Sequence, residues 1–583
     1  MIDTGRELAA QFRKLGTRHS LGLVVLNLTV IVTLFLIYFS NYLNERLQNA
    51  FLTSTNFGVP PNLTSKGITP LFTEYNQSGW DGQFYYYISN DILNQAGTSA
   101  YIDSPSYRWQ RAGFAIVVNA ISKLFGQDWV SPLLYFTVYF ALLAFALVIG
   151  AKLFMLFGQS ANLILLWGLS IGTVVTIFNG LPDAAADCFL IVALFAYAKN
   201  KLVLYSISIT FAILSRETYL LCALVIILVE CINFFRSKNE QDNASNSKAR
   251  WFWFLAPIAI GFTIQILLKL KFGIFPSRQA YGVLDFPLAS TFKRLSETFP
   301  QSSPTLNIKS FLVANLEFIS LCFFIALLLL NLIVLLKSRK KVFQESHPFT
   351  LVIFILTLAL TIMYACFGPT VMSFFTGYMK ASSIFFLLTP LLLALVGKKT
   401  LLKSTVIFMI IANFFLNGYN FYARILPESP AKWSVTELNI VSNADSIGCL
   451  SRYDTKITPI SSKLVIPSKM GSLFGADSYF DILLNAQNLT GSDLISTKGV
   501  GSTHLSYQWL ADSGQVVKDG IRYAIIEPLK DQESRDFRIL VKIPTTNLNT
   551  SLQISFVQEG CSWFYLNSSA PKSGLLSPLG ANQ

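Results

Sequence analysis

The fold class predicted for this 583-residue chain is a polytopic α-helical membrane domain of about 11 transmembrane helices, followed by a C-terminal extracytoplasmic β-sandwich domain. Three observations predict it. Hydrophobic residues make up 52% and charged residues only 13%, against about 25% charge in a soluble domain, and mean hydropathy is +0.50. Apolar runs of bilayer-spanning length recur up to about residue 420, separated by short basic stubs. Beyond about residue 421 Gly, Ser, Asn, Thr and Asp become common, and short alternating runs replace the long apolar ones.

This composition excludes an ordinary cytosolic enzyme and a disordered chain. The net charge of +13 does not point to nucleic acid, because the basic residues are not gathered on one soluble module. They sit between apolar runs, where the positive-inside rule puts them. Seven cysteines are spread along the chain, without a CxxC or Cys/His cluster, and there are three histidines (His19, His347, His504). No metal site and no His-based triad is expected. Cys188, Cys222, Cys231, Cys322 and Cys366 lie in apolar runs and read as small core residues.

The elements follow in order. Arg6, Arg13, Lys14 and Arg18 precede an apolar run from Leu21 to about Ser40, which reads as an uncleaved first span with a cytoplasmic N-terminus. Ten further spans are expected at about 131–151, 161–180, 183–199, 202–215, 218–236, 251–271, 312–336, 348–368, 381–397 and 402–420. The proposed cytoplasmic connections then hold 18 Lys/Arg. An odd span count puts the C-terminus on the outer face. Residues 112–127 are apolar but short and are interrupted by Asn119, Ser122 and Lys123, so an amphipathic helix on the outer membrane surface is expected there. Residues 41–130 become the first extracytoplasmic loop, and 272–311, with Arg278, Tyr281 and Asp285, the second. The spans at 202–215 and 218–236 are read as two helices meeting at an outer turn that holds Arg216 and Glu217, since one helix of both would be too long. The transmembrane domain ends at about 425.

The β-sandwich is expected from about 445 to 570. Phe537, Ile539, Val541 and Ile543 alternate onto one face, as do Leu552, Ile554 and Phe556. Leu505–Leu510 and Gln515–Lys518 flank Ala511-Asp512-Ser513-Gly514, a hairpin turn. Cys449 and Cys561 either pair in an oxidising compartment or stay as two thiols; the sequence favours neither.

Chemistry concentrates on the outer side of this topology. In Glu74–Ile88, Asp81 is flanked by Gly79 and Gly82, which permit an unusual backbone, and is followed by aromatics at 84–87. A carboxylate in such an interfacial setting suits a general base. The bland reading is an aromatic belt at the membrane interface with a capping Asp. Arg108 and Arg111 lie three apart, fit to bind phosphate as guanidinium forks or to snorkel to headgroups. Asp183 stands at the outer start of a span, where it may be a cap; Asp187 lies one turn deeper and calls for a cation or a cavity. Arg216 and Glu217 are at the next outer turn, and Lys380 ends another. A structural ion pair between helices is the alternative for Asp187 and Arg216.

Trp80-Asp81-Gly82-Gln83-Phe84-Tyr85-Tyr86, then Tyr107-Arg108-Trp109-Gln110-Arg111, Leu181-Pro182-Asp183 and Arg216-Glu217-Thr218 together resemble the bacterial integral-membrane glycosyltransferases of the GT-C superfamily, over about residues 15–425. Tail segments Leu505–Leu510, Gly520-Ile521-Arg522 and Val557–Phe564 resemble a β-sandwich module that accompanies some of them. Ala112-Gly113-Phe114 departs from the Tyr-Pro pair usual there, and Arg216 replaces a usual Lys.

The resemblance implies a polyprenyl-phosphate-linked sugar as donor, a glycan or lipid-linked acceptor, the lipid bilayer as surroundings, and no nucleic acid. It implies Asp81 as the base that deprotonates the acceptor hydroxyl, with inversion at the anomeric carbon. Glu74, Trp80, Gln83, Tyr85, Asp183, Asp187 and Glu217 are the further substrate-binding candidates, and Arg108, Arg111, Arg216 and Lys380 the cations for the leaving phosphate. No cofactor is required, although a carboxylate-bound divalent cation is compatible. A cell (inner) membrane location follows. The competing classes are a transporter or flippase for a lipid-linked glycan intermediate, and a non-enzymatic scaffold that presents the β-sandwich.

Overall fold

The computed structural model describes residues 22–39, 47–54, 56–68, 79–237, 244–280, 282–299, 315–345, 347–420, 448–465, 479–496, 501–511, 513–520, 522–525, 528–543, 550–568 and 575–576. Glu74 and Tyr281 lie outside the described residues. The chain divides into two compact units: Met1–Phe35 with Phe84–Phe421, and Leu36–Gln83 with Tyr422–Gln583.

The first unit is helical. Among the described residues, eight helices are long and apolar enough to cross a bilayer: Gly22–Phe39, Pro132–Leu156, Glu217–Phe234, Arg250–Phe272, Leu316–Gln344, Pro348–Ala365, Phe375–Leu395 and Lys399–Asn420. The chain is therefore a multi-pass membrane protein by length and composition. Several starts are encoded locally. Pro132 and Pro348 occupy first-turn positions, where a missing N–H costs nothing, and Ser131 Oγ and His347 Nδ1 accept from Leu134 N and Phe349 N.

A ninth span exists if Ala161–Gly168 and Ile171–Phe178 are taken together, bent by 54°. The break has a cause: Ser170 leaves helical geometry to cap the second helix, accepting from Thr173 N, and so starts a new helix axis. Asp183–Ala198 and Leu202–Ser215 are helices of 16 and 14 residues. At 1.5 Å per residue they are about 24 and 21 Å long, short of a hydrocarbon core of about 30 Å. The expected eleven spans include both. Asp183–Ala198 is buried along nearly its whole length among its neighbours, so it is a central packing element of the unit.

The 112–127 segment forms the helix Gly113–Leu124. Its buried face (Phe114, Ala115, Val118, Ser122) packs on protein: the Phe114 ring lies 5.1 Å from Tyr135 and 4.5 Å from Tyr139. Leu124 and Phe125 at its end are exposed.

In the second unit the C-terminal part is antiparallel β. Its strands are β1 Thr455–Val465, β2 Tyr479–Asn488, β3 Thr503–Ala511, β4 Val516–Asp519, β5 Tyr523–Ala524, β6 Ser534–Lys542, β7 Thr550–Gln558, β8 Ser562–Trp563 and β9 Leu575–Leu576. One sheet has the order β1-β2-β6; the other runs β4-β3-β7-β8, with β5 on β3 and β9 on β7. The period-two pattern does what it predicts. Phe537, Ile539 and Val541 from one sheet meet Leu552, Ile554, Phe556, Leu505, Tyr507 and Trp509 from the other in one core. The hairpin is also present: Leu510 pairs with Val516, and the Ala511–Gly514 turn closes with Gly514 N donating to Ala511 O.

Cys449 and Cys561 are disulfide-bonded across 112 residues of sequence, which settles the open alternative. Closing a loop that long restricts the unfolded chain, so reduction, or Cys561→Ser, should lower the stability of this sheet pair by about 2–4 kcal/mol. Hydrogen–deuterium exchange of β3 and β7 in the full-length protein, with and without reductant, checks this; unchanged protection contradicts it.

His504, on β3, is buried, and burial is the main reason its pKa falls from 6.5 to about 4; Arg522 adds to the fall and Glu559 opposes it. The folded state thus prefers the neutral ring. Stability from this site is complete above about pH 6.5 and is lost as pH drops through 4, by about 3 kcal/mol at most. His504→Gln should flatten the exchange-measured stability between pH 7 and 4 at β3; an unaltered acid slope contradicts this.

Candidate functional site

Asp81 belongs to the second unit and immediately precedes the helix Gly82–Asn90. Its turn is fastened to residues 52–54. Trp80 N donates to Leu52 O at 3.1 Å, and the buried Gln83 side chain accepts from Ser54 N at 3.1 Å. Gly79 has φ +66°, and a Cβ there would lie 2.4 Å from Leu52 O, so this position demands glycine. Leu52 itself has φ +52°, a left-handed conformation costly for a side chain and held only where neighbours fix it. Gly82, in contrast, is the first helical residue and has no positive φ. The unusual backbone is therefore on the Gly79 side alone. Asp81 is half-buried at a helix start, where the amide dipoles favour an anion.

The aromatic run is not an exposed belt. Phe84, Tyr85, Tyr86 and Tyr87 are each at most 2% exposed. Tyr86 Oη donates to Val130 O at 3.0 Å, and its ring meets Tyr135 edge-on at 6.0 Å. Burial raises the Tyr86 and Tyr87 hydroxyl pKa values well above the ordinary 10. The aromatic face of this helix is enclosed by protein, so these rings do not form an exposed belt at the membrane interface.

In the first unit, both tyrosine-flanked arginines are compensated. Arg108 donates to Asp103 through Nε (2.9 Å) and Nη2 (2.7 Å) and stacks over Phe84 at 5.0 Å. Arg111 forks onto Glu217 through Nε (2.6 Å) and Nη2 (2.5 Å). Burial pulls the Arg111 pKa down, but Glu217 outweighs this and holds it above its ordinary value. These are neither snorkelling side chains nor uncommitted phosphate forks. Asp183 faces Arg216 Nε at 3.8 Å. Arg216 Nη2 donates to Ala381 O at 2.8 Å.

Asp187 is fully buried and receives Trp167 Nε1 at 2.9 Å, Ser383 Oγ at 2.6 Å and the Tyr219 hydroxyl. Three donors satisfy a buried carboxylate without direct contact to a cation. Lys380 lies in the Phe375–Ala381 helix, half-buried, and its ammonium has no ion pair or hydrogen bond among the described residues. Gly172 permits this neighbourhood: a Cβ there would sit 2.7 Å from Met379 O and 2.9 Å from Lys380 Cα. Arg216 Nη1 and the Tyr364 hydroxyl are buried and without a hydrogen-bond partner among the described residues.

Arg111, Asp183, Asp187, Arg216, Glu217 and the 380–383 turn, drawn from four stretches of sequence, are thus joined within the first unit. Asp103, Trp167, Tyr219, Tyr364 and Ser383 were not singled out from sequence. Asp103 lies five residues before Arg108, a spacing without a helical rule, and the others are distant in the chain. Among the described residues no group of three or more His, Cys, Asp or Glu has the arrangement to hold a metal ion. No family model matches the chain, and no curated protein or solved structure is significantly similar to it.

Proposed function

We propose that the protein is a membrane glycosyltransferase of the GT-C kind, moving a sugar from a polyprenyl-phosphate donor to an acceptor hydroxyl on the extracytoplasmic face of the cell membrane. The observation that carries the reading is the joining of the motif residues Arg111–Glu217, Asp183–Arg216, Asp187 and the Lys380 turn within one unit.

In this reading Asp81 takes the proton of the acceptor hydroxyl. The acceptor oxygen bonds to the anomeric carbon as the bond from that carbon to the phosphate oxygen breaks, with inversion, and the electron pair leaves on the lipid phosphate. A phosphate that gains charge needs fixed cations. Arg108 and Arg111 are already neutralised by carboxylates, so Lys380 and Nη1 of Arg216 carry this role first, with Arg108 and Arg111 as positioning residues. Asp183, Asp187 and Glu217 hold the guanidinium groups and the 380–383 turn in place, and Glu74, Trp80, Gln83 and Tyr85 belong to the acid-bearing loop and its anchorage. The disulfide supports an oxidising, extracytoplasmic side for the C-terminal sheets.

Purified protein incubated with a panel of polyprenyl-phosphate sugars and hydroxyl acceptors should release lipid phosphate from at least one donor in step with a new glycosidic bond. Absence of release across donors that differ in sugar and in lipid length contradicts the reading.

A further inference from the structure

The Leu284–Phe299 segment carries large apolar side chains that the protein does not cover. Phe286 is 80% exposed, Phe292 59% and Phe299 66%, and Phe374, in a neighbouring connection, is 65% exposed. Within and after the helix Ala289–Glu297, Phe292, Leu295 and Phe299 recur at helical spacing and form one stripe. Lys293 and Glu297 are exposed off that stripe, while Ser290 and Thr291 are buried.

This segment is strapped to the end of a membrane span. Asp285 N donates to Cys366 O at 2.8 Å and Leu288 N to Ala365 O at 2.6 Å; in return Gly368 N donates to Val283 O at 2.8 Å and Thr370 N to Gly282 O at 3.0 Å. The Phe299 ring also meets Phe318, near the start of the Leu316–Gln344 span, edge-on at 5.5 Å. The strap therefore sits at the depth where two spans end. On the Pro348–Ala365 helix to which it is strapped, Leu358 and Ile362 are exposed as well.

We infer that Leu284–Phe299, with Phe374, is a lipid-contacting strap that lies in the interfacial zone of the bilayer. Phe286, Phe292, Phe299 and Phe374 enter the upper acyl region, and Lys293 stays at the level of the lipid phosphates. A surface whose apolar stripe borders a basic residue, and which runs on into lipid-facing helix flanks, matches a membrane interface. A soluble protein rarely leaves so many adjacent aromatics in water. The four backbone hydrogen bonds tie the depth of the strap to the 365–370 turn, which leads directly into the helix that carries Lys380. The inference does not depend on sugar transfer.

The test uses full-length protein in phospholipid vesicles doped with a phosphatidylcholine bearing a photoactivatable diazirine in its upper acyl chain. After illumination, peptide mass spectrometry should find lipid adducts on Leu284–Phe299 and around Phe374, at a level comparable to the peptide holding Leu358 and Ile362. Phe286→Asp with Phe292→Asp should bring strap adducts down to the level of the 513–520 turn of the β unit while labelling at Ile362 persists. Adducts on the span but none on the strap overturn the inference. So does strap labelling that fades as the protein-to-lipid ratio rises, because a second copy of the chain would then be the covering partner.

Discussion

Replacing Asp81 with asparagine is expected to lower sugar transfer by roughly 10²–10⁴-fold, the share that a positioned general base contributes. The substitution removes the carboxylate that accepts the proton and keeps the size of the side chain. Asparagine matches aspartate in shape and serves equally well at a helix start. The local fold is also set by other groups: Gly79 with its positive φ, Trp80 N on Leu52 O, and the Gln83 side chain accepting from Ser54 N. The variant should therefore insert and unfold like the parent, with the loss confined to turnover. The initial rate of lipid phosphate release, read beside thermal unfolding in detergent, separates the two. A rate within a few-fold of the parent removes Asp81 from the base role.

Arg216→Met is expected to cost stability on a different scale, about 3–5 kcal/mol, the range found when one member of a buried ion pair is removed. Arg216 and Asp183 are both almost wholly enclosed. Taking away the guanidinium leaves the Asp183 carboxylate buried without its cation and the Ala381 carbonyl without its donor. Arg216→Lys keeps the charge but not the fork, so a smaller loss is expected. Asp183→Asn in the Arg216→Met background should recover part of the deficit, because the stranded charge is gone. Unfolding midpoints in detergent for the parent, Arg216→Met, Asp183→Asn and the double variant give the coupling. Additive losses would show that the pair does not interact.

Much of the fold is legible before any coordinates. Long apolar runs announce the spans because a bilayer admits few alternatives to a helix, and alternation in 537–541 and 552–556 announces strands because one face meets the core. Two classes of feature escape. The first is anything decided by length at the margin: helices form where expected, at 183–198 and 202–215, but at 16 and 14 residues both are shorter than a bilayer-spanning helix of about 20. The second is anything decided by distant partners. Four consecutive aromatics suit either an interface or an enclosed helix, and only the packing of Tyr86 on Tyr135 and of Arg108 on Phe84 decides for enclosure. Arg108 and Arg111 look like open phosphate forks until Asp103 and Glu217 are seen opposite them. The disulfide between Cys449 and Cys561 joins the stretch before β1 to the turn between β7 and β8, an approach no spacing rule predicts.

The motif residues fared differently from one another for the same reason. Asp187, which the sequence places beside a cation or a cavity, draws hydrogen bonds from Trp167, Tyr219 and Ser383, each from another part of the chain. Asp183, at the start of its helix, faces Arg216. Sequence spacing identifies which charged residues lie near one end of the helical unit, and tertiary contacts decide which of them remain available to a ligand. Lys380, and Nη1 of Arg216, are what that second step leaves without a hydrogen-bond partner among the described residues.

The central claim is that the protein makes a glycosidic bond and does not merely move its lipid. Reconstitution into vesicles containing a polyprenyl-phosphate sugar labelled in the sugar, with a hydroxyl acceptor supplied, tests it most directly. The account predicts that label passes into an acceptor-linked product while an equal amount of free polyprenyl phosphate appears. Label that stays on the lipid, with movement between leaflets and no released phosphate, would contradict it.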